Sequence, residues 1–448
     1  MHFVIIGNGI TGITAARWIR KLSDHDVTVI SSESQYFYSR TALMYIYMGH
    51  MTFKDTQPYE EGFWSKNRIQ LLQDHVDSID FDNKTLSLKD NGAISYDKLL
   101  IAVGSKPNYF GWPGQDLEGV SGLYSLQDLA YIEEKSRQLD RAVIVGGGLI
   151  GVELAEMFHS RGIPVTMIVR EDQYWDNVLP HEEAKMISHH IRSHGIDLKL
   201  GLNLGQIIGN EEGHACAVIV KETGEKIDCE FVGLTAGVHP NIDFLRNSGL
   251  KVNRGILVDN TLKTNMPDVY AAGDCAELIE SMPGRKSIEA VWYTGRMMGE
   301  VTAYNICGHA QAYDPGIWFN SAKFFDIEYQ VYGTVLPKAP DSHKSLFWQN
   351  KKADKSIRIV YDSNNRAVLG FNLLGIRFRH EVCDKWIAEK TNIEEVLCNL
   401  SLADFNPEFF AIYENELVHM YNKQTGSQLK LKSKRSLNRV LSFLKSKA

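Results

Sequence analysis

Two glycine-rich turns, each set between an apolar run and a helix-like stretch, constrain this 448-residue chain more than any other feature. The first is Phe3-Val4-Ile5-Ile6-Gly7-Asn8-Gly9-Ile10-Thr11-Gly12, and the second is Ala142-Val143-Ile144-Val145-Gly146-Gly147-Gly148-Leu149-Ile150-Gly151. A short apolar run closed by glycine reads as a buried parallel strand. Residues 13–22 and 149–160 then read as helices, and residues 27–30 and 165–169 as the next strands, so each turn lies in a βαβ unit. In such a unit the first glycine permits a tight turn, the second has no Cβ to block a phosphate, and the third lets the helix pack on the strand. Unpaired N–H groups and the dipole at the helix N-terminus offset the phosphate charge. An acid about 20 residues beyond the last glycine belongs on a ribose diol, and Glu33 holds that place after the first turn. Two such units predict two dinucleotides bound by one chain.

The bulk numbers exclude several other classes. A hydrophobic content of 44% with 23% charged residues is that of an ordinary soluble globular chain, and a net charge of −7 gives no reason to expect nucleic acid. No apolar run approaches the roughly 20 residues that cross a bilayer. The chain opens directly into a strand, so no secretory signal is expected. The six cysteines (216, 229, 275, 307, 383 and 398) are scattered, which predicts reduced thiols and a cytoplasmic location. His181, His189, His190 and His194 fall on one helical stretch. His190 and His194 are i, i+4, but the sequence offers no supporting ligand and no metal site is expected.

Between the two turns, residues 76–100 alternate around Asp82-Asn83 and Asp90-Asn91-Gly92, which predicts hairpin strands. Residues 99–104 form another strand–glycine junction, and residues 106–122 a linker rich in Pro and Gly. Further strands are expected over 231–236 and 269–274, and a long helix over 285–306. From about Trp318 aromatic and β-branched runs suggest a separate α+β domain. From Tyr421 onward there are eight Lys or Arg and no acid. There Leu437, Val440, Leu441 and Leu444 share one helical face. This tail reads either as an amphipathic helix on an anionic membrane or as a solubilising end.

Four further segments complete a recognisable pattern: Ile101-Ala102-Val103-Gly104-Ser105-Lys106-Pro107, the second glycine turn, Thr235-Ala236-Gly237-Val238-His239-Pro240-Asn241, and Thr264-Asn265-Met266-Pro267-Asp268-Val269-Tyr270-Ala271-Ala272-Gly273-Asp274. Over roughly residues 1–335 the chain resembles the two-dinucleotide flavoproteins of the pyridine nucleotide–disulfide oxidoreductase superfamily, in the ferredoxin-reductase and nitrite-reductase-like branch. The resemblance implies an α/β fold with two Rossmann-like domains, the FAD domain discontinuous, plus a C-terminal α+β domain. The expected boundaries are 1–115 with 243–315 for FAD, 116–242 for NAD(P)H, 316–420 for an interface-like domain, and 421–448 for the basic tail.

It also implies site residues. FAD is expected at Gly7, Gly9, Ile10, Thr11, Gly12, Glu33, Arg40, Thr41, Val76, Ala102, Gly104, Gly273, Asp274 and Trp292, with Tyr293 beside the last. Asp274 would meet the ribityl and phosphate region, although it also reads as a helix cap. NADH or NADPH is expected at Gly146, Gly148, Leu149, Ile150, Gly151, Glu153, Arg170, Glu171 and Gly237. A carboxylate at Glu171 favours NADH and an arginine at Arg170 favours NADPH, with a lean to NADH.

Disulfide-using members carry a cysteine pair in the stretch that corresponds to residues 39–49, and this chain has no cysteine there. Tyr45 stands where the ferredoxin-reductase branch often has a lysine, so Tyr45 and Glu153 are the candidates near the reacting atoms, each with an alternative structural reading. The implied reaction passes a hydride from nicotinamide C4 to flavin N5 and then electrons to an external acceptor, an iron–sulfur or other redox protein or a small molecule. Alternatives are a peripheral membrane NADH:quinone reductase and an apoptosis-inducing-factor-like signalling flavoprotein. A homodimer is compatible with either.

Overall fold

The computed structural model describes residues 1–405 and 413–431. They divide into two compact units, one made of Met1–Gly146, Leu154–Val165 and Leu204–Pro315, the other of Gly147–Glu153, Thr166–Asn203 and the chain from Gly316 onward.

In the first unit a parallel sheet runs in the order Val269–Ala271, Lys98–Ile101, His2–Ile6, Asp26–Ser31, Ile69–Gln73. Phe3 stands opposite Val27 on one side and Lys98 on the other. Consecutive residues Phe3, Val4 and Ile5 are all at most 1% exposed, so both faces of this central strand are covered, as the unbroken apolar run predicts. The helix Ile10–Leu22 lies against the helix Trp292–Ile306. They approach so closely that a Cβ on Gly299 would sit 2.4 Å from the Thr11 carbonyl oxygen. Val76–Asp80, Thr85–Leu88 and Gly92–Ser95 form the antiparallel strands expected from the two turn signals. A second parallel ladder joins Ala142–Val145 to Phe231–Leu234 and the latter to Val120–Ser121.

One sequence expectation is corrected here. The helix expected over 285–306 begins only at Trp292. Pro283-Gly284 starts a turn, with Gly284 at φ +77°. Arg285 and Glu289 then pair at 2.6 Å, each side chain only 8% exposed, and Glu289 also accepts from Thr294 Oγ1 at 3.2 Å. A buried pair with charge-assisted bonds outweighs the weak helix preference of the intervening residues.

In the second unit residues 166–169 pair in parallel with Asp197–Leu200. An antiparallel sheet runs in the order Phe319–Phe324, Ile327–Gly333, Val368–Leu374, Ser356–Asp362, His343–Gln349. The helices His380–Ala388, Ile393–Cys398 and Glu414–Thr425 share its core through Phe371, Trp386, Leu397, Leu417 and Tyr421. Arg358 on that sheet holds the fully buried Glu183 at 2.6 Å and Glu182 at 2.7 Å. Glu183 and Glu182 belong to the helix His181–Ser193, so this ion pair ties helix to sheet. The apolar face expected at Leu437, Val440, Leu441 and Leu444 lies outside the described residues. Among the described residues no helix is long and apolar enough to cross a membrane.

Candidate functional site

At the first glycine turn the backbone demands the residues the sequence supplies. Gly7 has φ +110°, and a Cβ there would lie 2.1 Å from the Ala102 carbonyl oxygen. A side chain is excluded twice over, by conformation and by space. Gly12 is equally closed, its Cβ position being 2.0 Å from the Gly7 carbonyl oxygen. Gly9 is the opposite case: a Cβ there would meet no protein atom within 4 Å. Gly9 also caps the 13-residue helix Ile10–Leu22, which has no side-chain cap and no acid in its first turn. Open space beside uncapped N–H groups at a helix N-terminus fits a pyrophosphate.

The residues expected around this turn form two clusters. Glu33 is held by Arg40 through both guanidinium nitrogens, by the Tyr38 hydroxyl, and by the Leu126 N–H at 2.9 Å. Burial works to raise its pKa, but these bonds hold the carboxyl below the ordinary range. Arg40 also donates to the Tyr124 carbonyl and covers the Tyr124 ring at 4.6 Å. The second cluster centres on Asp274, whose Oδ2 accepts from Ser105 Oγ at 3.3 Å and whose carboxyl is pushed up by burial. Tyr124 joins the two clusters. Its hydroxyl accepts from the Ser105 N–H at 3.0 Å and lies 3.1 Å from a Cβ on Gly104, and burial pushes its pKa up to about 12. Tyr124 and Ser105 escape sequence reasoning because their role depends on contacts across 84 and 169 residues of chain.

Other expected residues are placed as follows. Gly273 has φ +79°, and its Cβ position is 2.5 Å from Thr11 Oγ1, which brings Thr11 and Gly273 together. Ile10 packs against the core, and Ala102 donates its N–H to the Ile6 carbonyl at 2.8 Å. Val76 is buried in that core, and Thr41 is exposed beside Ser39. Trp292 opens its helix edge-on to Tyr293, with ring centroids 5.4 Å apart. Tyr45 lies in the short helix Leu43–Tyr47 and stacks on His50 at 6.1 Å.

The second glycine turn repeats the logic. Gly146 has φ +130°, and its Cβ position is 2.5 Å from the Thr235 carbonyl oxygen, whereas Gly148 meets no protein atom within 4 Å. The helix Leu149–Ser160 follows, with Leu149, Ile150, Gly151 and Glu153 in its first turns. A Cβ on Gly147 would come within 3.4 Å of Glu171 Oε2, which places that carboxylate beside the turn. Arg170 Nε reaches Glu171 at 2.8 Å, but the Arg170 side chain is 73% exposed against 16% for Glu171. Tyr174, missed in the sequence, donates its hydroxyl to the Gly148 carbonyl at 2.6 Å and is fully buried. In the first unit Gly237, at φ +87°, accepts at its carbonyl from the Asn108 N–H at 3.0 Å.

The three buried cysteines do not compete for this chemistry. Cys229 and Cys275 are buried and pushed up to about 12, and burial raises Cys383 well above the ordinary thiol range. None of the three is a thiolate at neutral pH.

Comparison with known proteins agrees with this geometry. A family model described as pyridine nucleotide-disulphide oxidoreductase matches residues 1–299. The chain is 31% identical to a rubredoxin-NAD(+) reductase of Acinetobacter baylyi, covering 84% of this chain and 94% of that protein. It is 27% identical to an NADH-rubredoxin oxidoreductase of Clostridium acetobutylicum, covering 89% and 98%. A solved NAD-dependent persulfide reductase from A. fulgidus superposes with a TM-score of 0.83 at 23% identity, covering 97% of this chain and 88% of that one, a likeness of fold.

Proposed function

The chain belongs to the pyridine nucleotide-disulphide oxidoreductase family, and from that premise we propose how its two glycine turns divide the work of an FAD-dependent NAD(P)H oxidoreductase that serves an external electron acceptor. The first turn takes FAD and the second takes the nicotinamide dinucleotide. The open Cβ space at both Gly9 and Gly148, each two residues after a glycine that admits no side chain, is the observation that supports a dinucleotide at each turn, and the order of the family's motifs assigns the first to FAD. When bound, the flavin accepts the hydride of the reduced nicotinamide and releases electrons to the acceptor, so no thiol pair is required.

The protein's own residues bind and orient. Gly9 and the first N–H groups of the helix Ile10–Leu22 receive the FAD pyrophosphate, and Glu33 turns part of its carboxylate from Arg40 to the ribose. Asp274 and Ser105 hold the region beyond, while Ala102, Gly104, Gly273 and Thr11 keep the wall slim. On the other side Gly148, Leu149, Ile150 and Gly151 receive the second pyrophosphate. Glu171, mostly buried and beside Gly147, accepts the ribose diol and repels a 2′-phosphate. The preferred donor is therefore NADH, with the solvent-facing Arg170 neutralised by Glu171.

The same reading groups residues 1–115 and 243–315 as the FAD domain, since all five strands of the first sheet come from those segments. Residues 116–242 form the nicotinamide domain and residues 316–420 a third domain. The acceptor is a small iron–sulfur protein of the rubredoxin kind, as the names of the two curated relatives suggest. An NADH-driven assay that follows bleaching of oxidised rubredoxin tests this. Rapid bleaching with NADH and slow bleaching with NADPH is expected. Equal rates with and without the chain would remove the rubredoxin assignment, and activity confined to quinones in vesicles would replace it.

A further inference from the structure

The second unit holds a cluster that the oxidoreductase chemistry leaves unused. The helix His181–Ser193 carries His190 in its last turn and is capped by His194, so the two rings lie one turn apart on one face. Their centroids are 4.5 Å apart. His194 Nδ1 lies 3.0 Å from the His190 carbonyl oxygen. A carbonyl only accepts, so Nδ1 donates to it, and Nε2 is the ring nitrogen on the side of Asp326.

The third member comes from far along the chain. Phe319–Phe324 and Ile327–Gly333 form an antiparallel hairpin in which Phe324 pairs with Ile327, leaving Phe325-Asp326 as a two-residue turn. Phe325 has φ +54°, a left-handed conformation that a bulky aromatic rarely adopts. Its ring stacks on His194 at 4.4 Å with 23° between planes. The turn so held brings Asp326 Oδ1 to 2.6 Å from His190 Nε2 and 3.5 Å from His194 Nε2.

His190 Nε2 is a buried atom that faces the carboxylate of Asp326, whose own side chain is 77% exposed. The C-terminal end of a helix also favours positive charge. The three donor atoms all lie within 4.8 Å of one another. Around one tetrahedral ion with bonds near 2.0 Å, donors sit about 3.4 Å apart, a spacing reached by a small rotation of the exposed Asp326 side chain. Two imidazoles and one carboxylate select a first-row transition ion, because magnesium and calcium demand oxygen ligands.

We propose that His190, His194 and Asp326 bind one divalent first-row transition ion of the Zn²⁺ class, with a coordination position left open to water or an anion. The ion pins the Phe325-Asp326 turn to the end of the helix His181–Ser193. The strained turn is then part of a built site and is stabilised by the ligand it presents.

The full-length, flavin-loaded chain, stripped with a chelator and dialysed, is titrated calorimetrically with ZnCl₂ and with MgCl₂. One Zn²⁺ per chain and no saturable Mg²⁺ binding are expected. Asp326→Asn and His194→Ala each weaken Zn²⁺ binding at least about 100-fold, beyond the loss typical of an outer-shell partner, while flavin content and spectrum are retained. X-ray absorption on the wild-type zinc form needs no variant, and imidazole scattering without sulfur is expected there. Absence of Zn²⁺ binding, equal binding by both variants, a sulfur-ligand spectrum, or Mg²⁺ binding as tight as Zn²⁺ would each overturn the proposal.

Discussion

The two glycine turns solve one steric problem in the same way and one electrostatic problem in different ways. In both, the first glycine lies against the carbonyl of the residue that follows a strand, Ala102 for Gly7 and Thr235 for Gly146, and the next-but-one glycine has no protein atom within 4 Å of its Cβ position. The acids differ. Glu33 is enclosed by Arg40, Tyr38 and the Leu126 N–H, whereas Glu171 has the adjacent Arg170 reaching it from solvent. A carboxylate built into a polar cluster suits a cofactor that stays. A carboxylate with one loose partner suits a substrate that enters and leaves each turnover.

The largest effect that tests this comparison is steric. Gly7→Ala meets both a forbidden φ and a 2.1 Å contact with backbone. It should destabilise the first unit by about 3 kcal/mol or more, read as a shift in urea midpoint together with loss of bound flavin. The open glycines then separate the two sites. Gly9→Val and Gly148→Val should both fold, the first losing FAD affinity about 100-fold and the second raising the Kd for NADH about 100-fold with flavin retained, each change equal to about 2.7 kcal/mol. Flavin loss in the Gly148 variant alone would reverse the assignment.

These positions show what could be read from sequence and what could not. The strand Ala142–Val145 and the helix Leu149–Ser160 are legible because apolar period and glycine spacing are local signals. The resemblance adds Asp274, whose partner Ser105 is 169 residues away in sequence. Tyr124, which accepts from the Ser105 N–H, and Tyr174, which donates to the Gly148 carbonyl of the second turn, leave no periodic trace. The start of the helix expected at 285 is missed in the other direction, since the buried Arg285–Glu289 pair belongs to a loop and the helix begins at Trp292. His190 and His194 look like two histidines of an ordinary helix until a hairpin over 130 residues later supplies Asp326.

Smaller effects sharpen the electrostatic half of the comparison. Glu33 has a lowered pKa in the folded chain, so its contribution is present above the ordinary carboxylate range and is lost as pH falls through the folded value. Glu33→Gln should cost about 1–2 kcal/mol at pH 7, a modest sum because Arg40 keeps a solvent-facing side. The difference from wild type should shrink in thermal melts taken towards pH 3. A constant difference across that range would show that the ion pair does not carry the stability. Glu171→Gln is expected to be milder still. It should reduce the preference for NADH over NADPH about tenfold in kcat/KM, near 1.4 kcal/mol, while leaving flavin content and melting temperature unchanged.

The most direct test is anaerobic stopped-flow absorbance on the purified full-length chain. FAD should copurify with it, and NADH should bleach the flavin band in a single fast phase that slows sharply in the Gly148→Val variant. A colourless preparation that takes up no FAD, or a flavin band that NADH leaves unchanged, would contradict the division of work between the two turns.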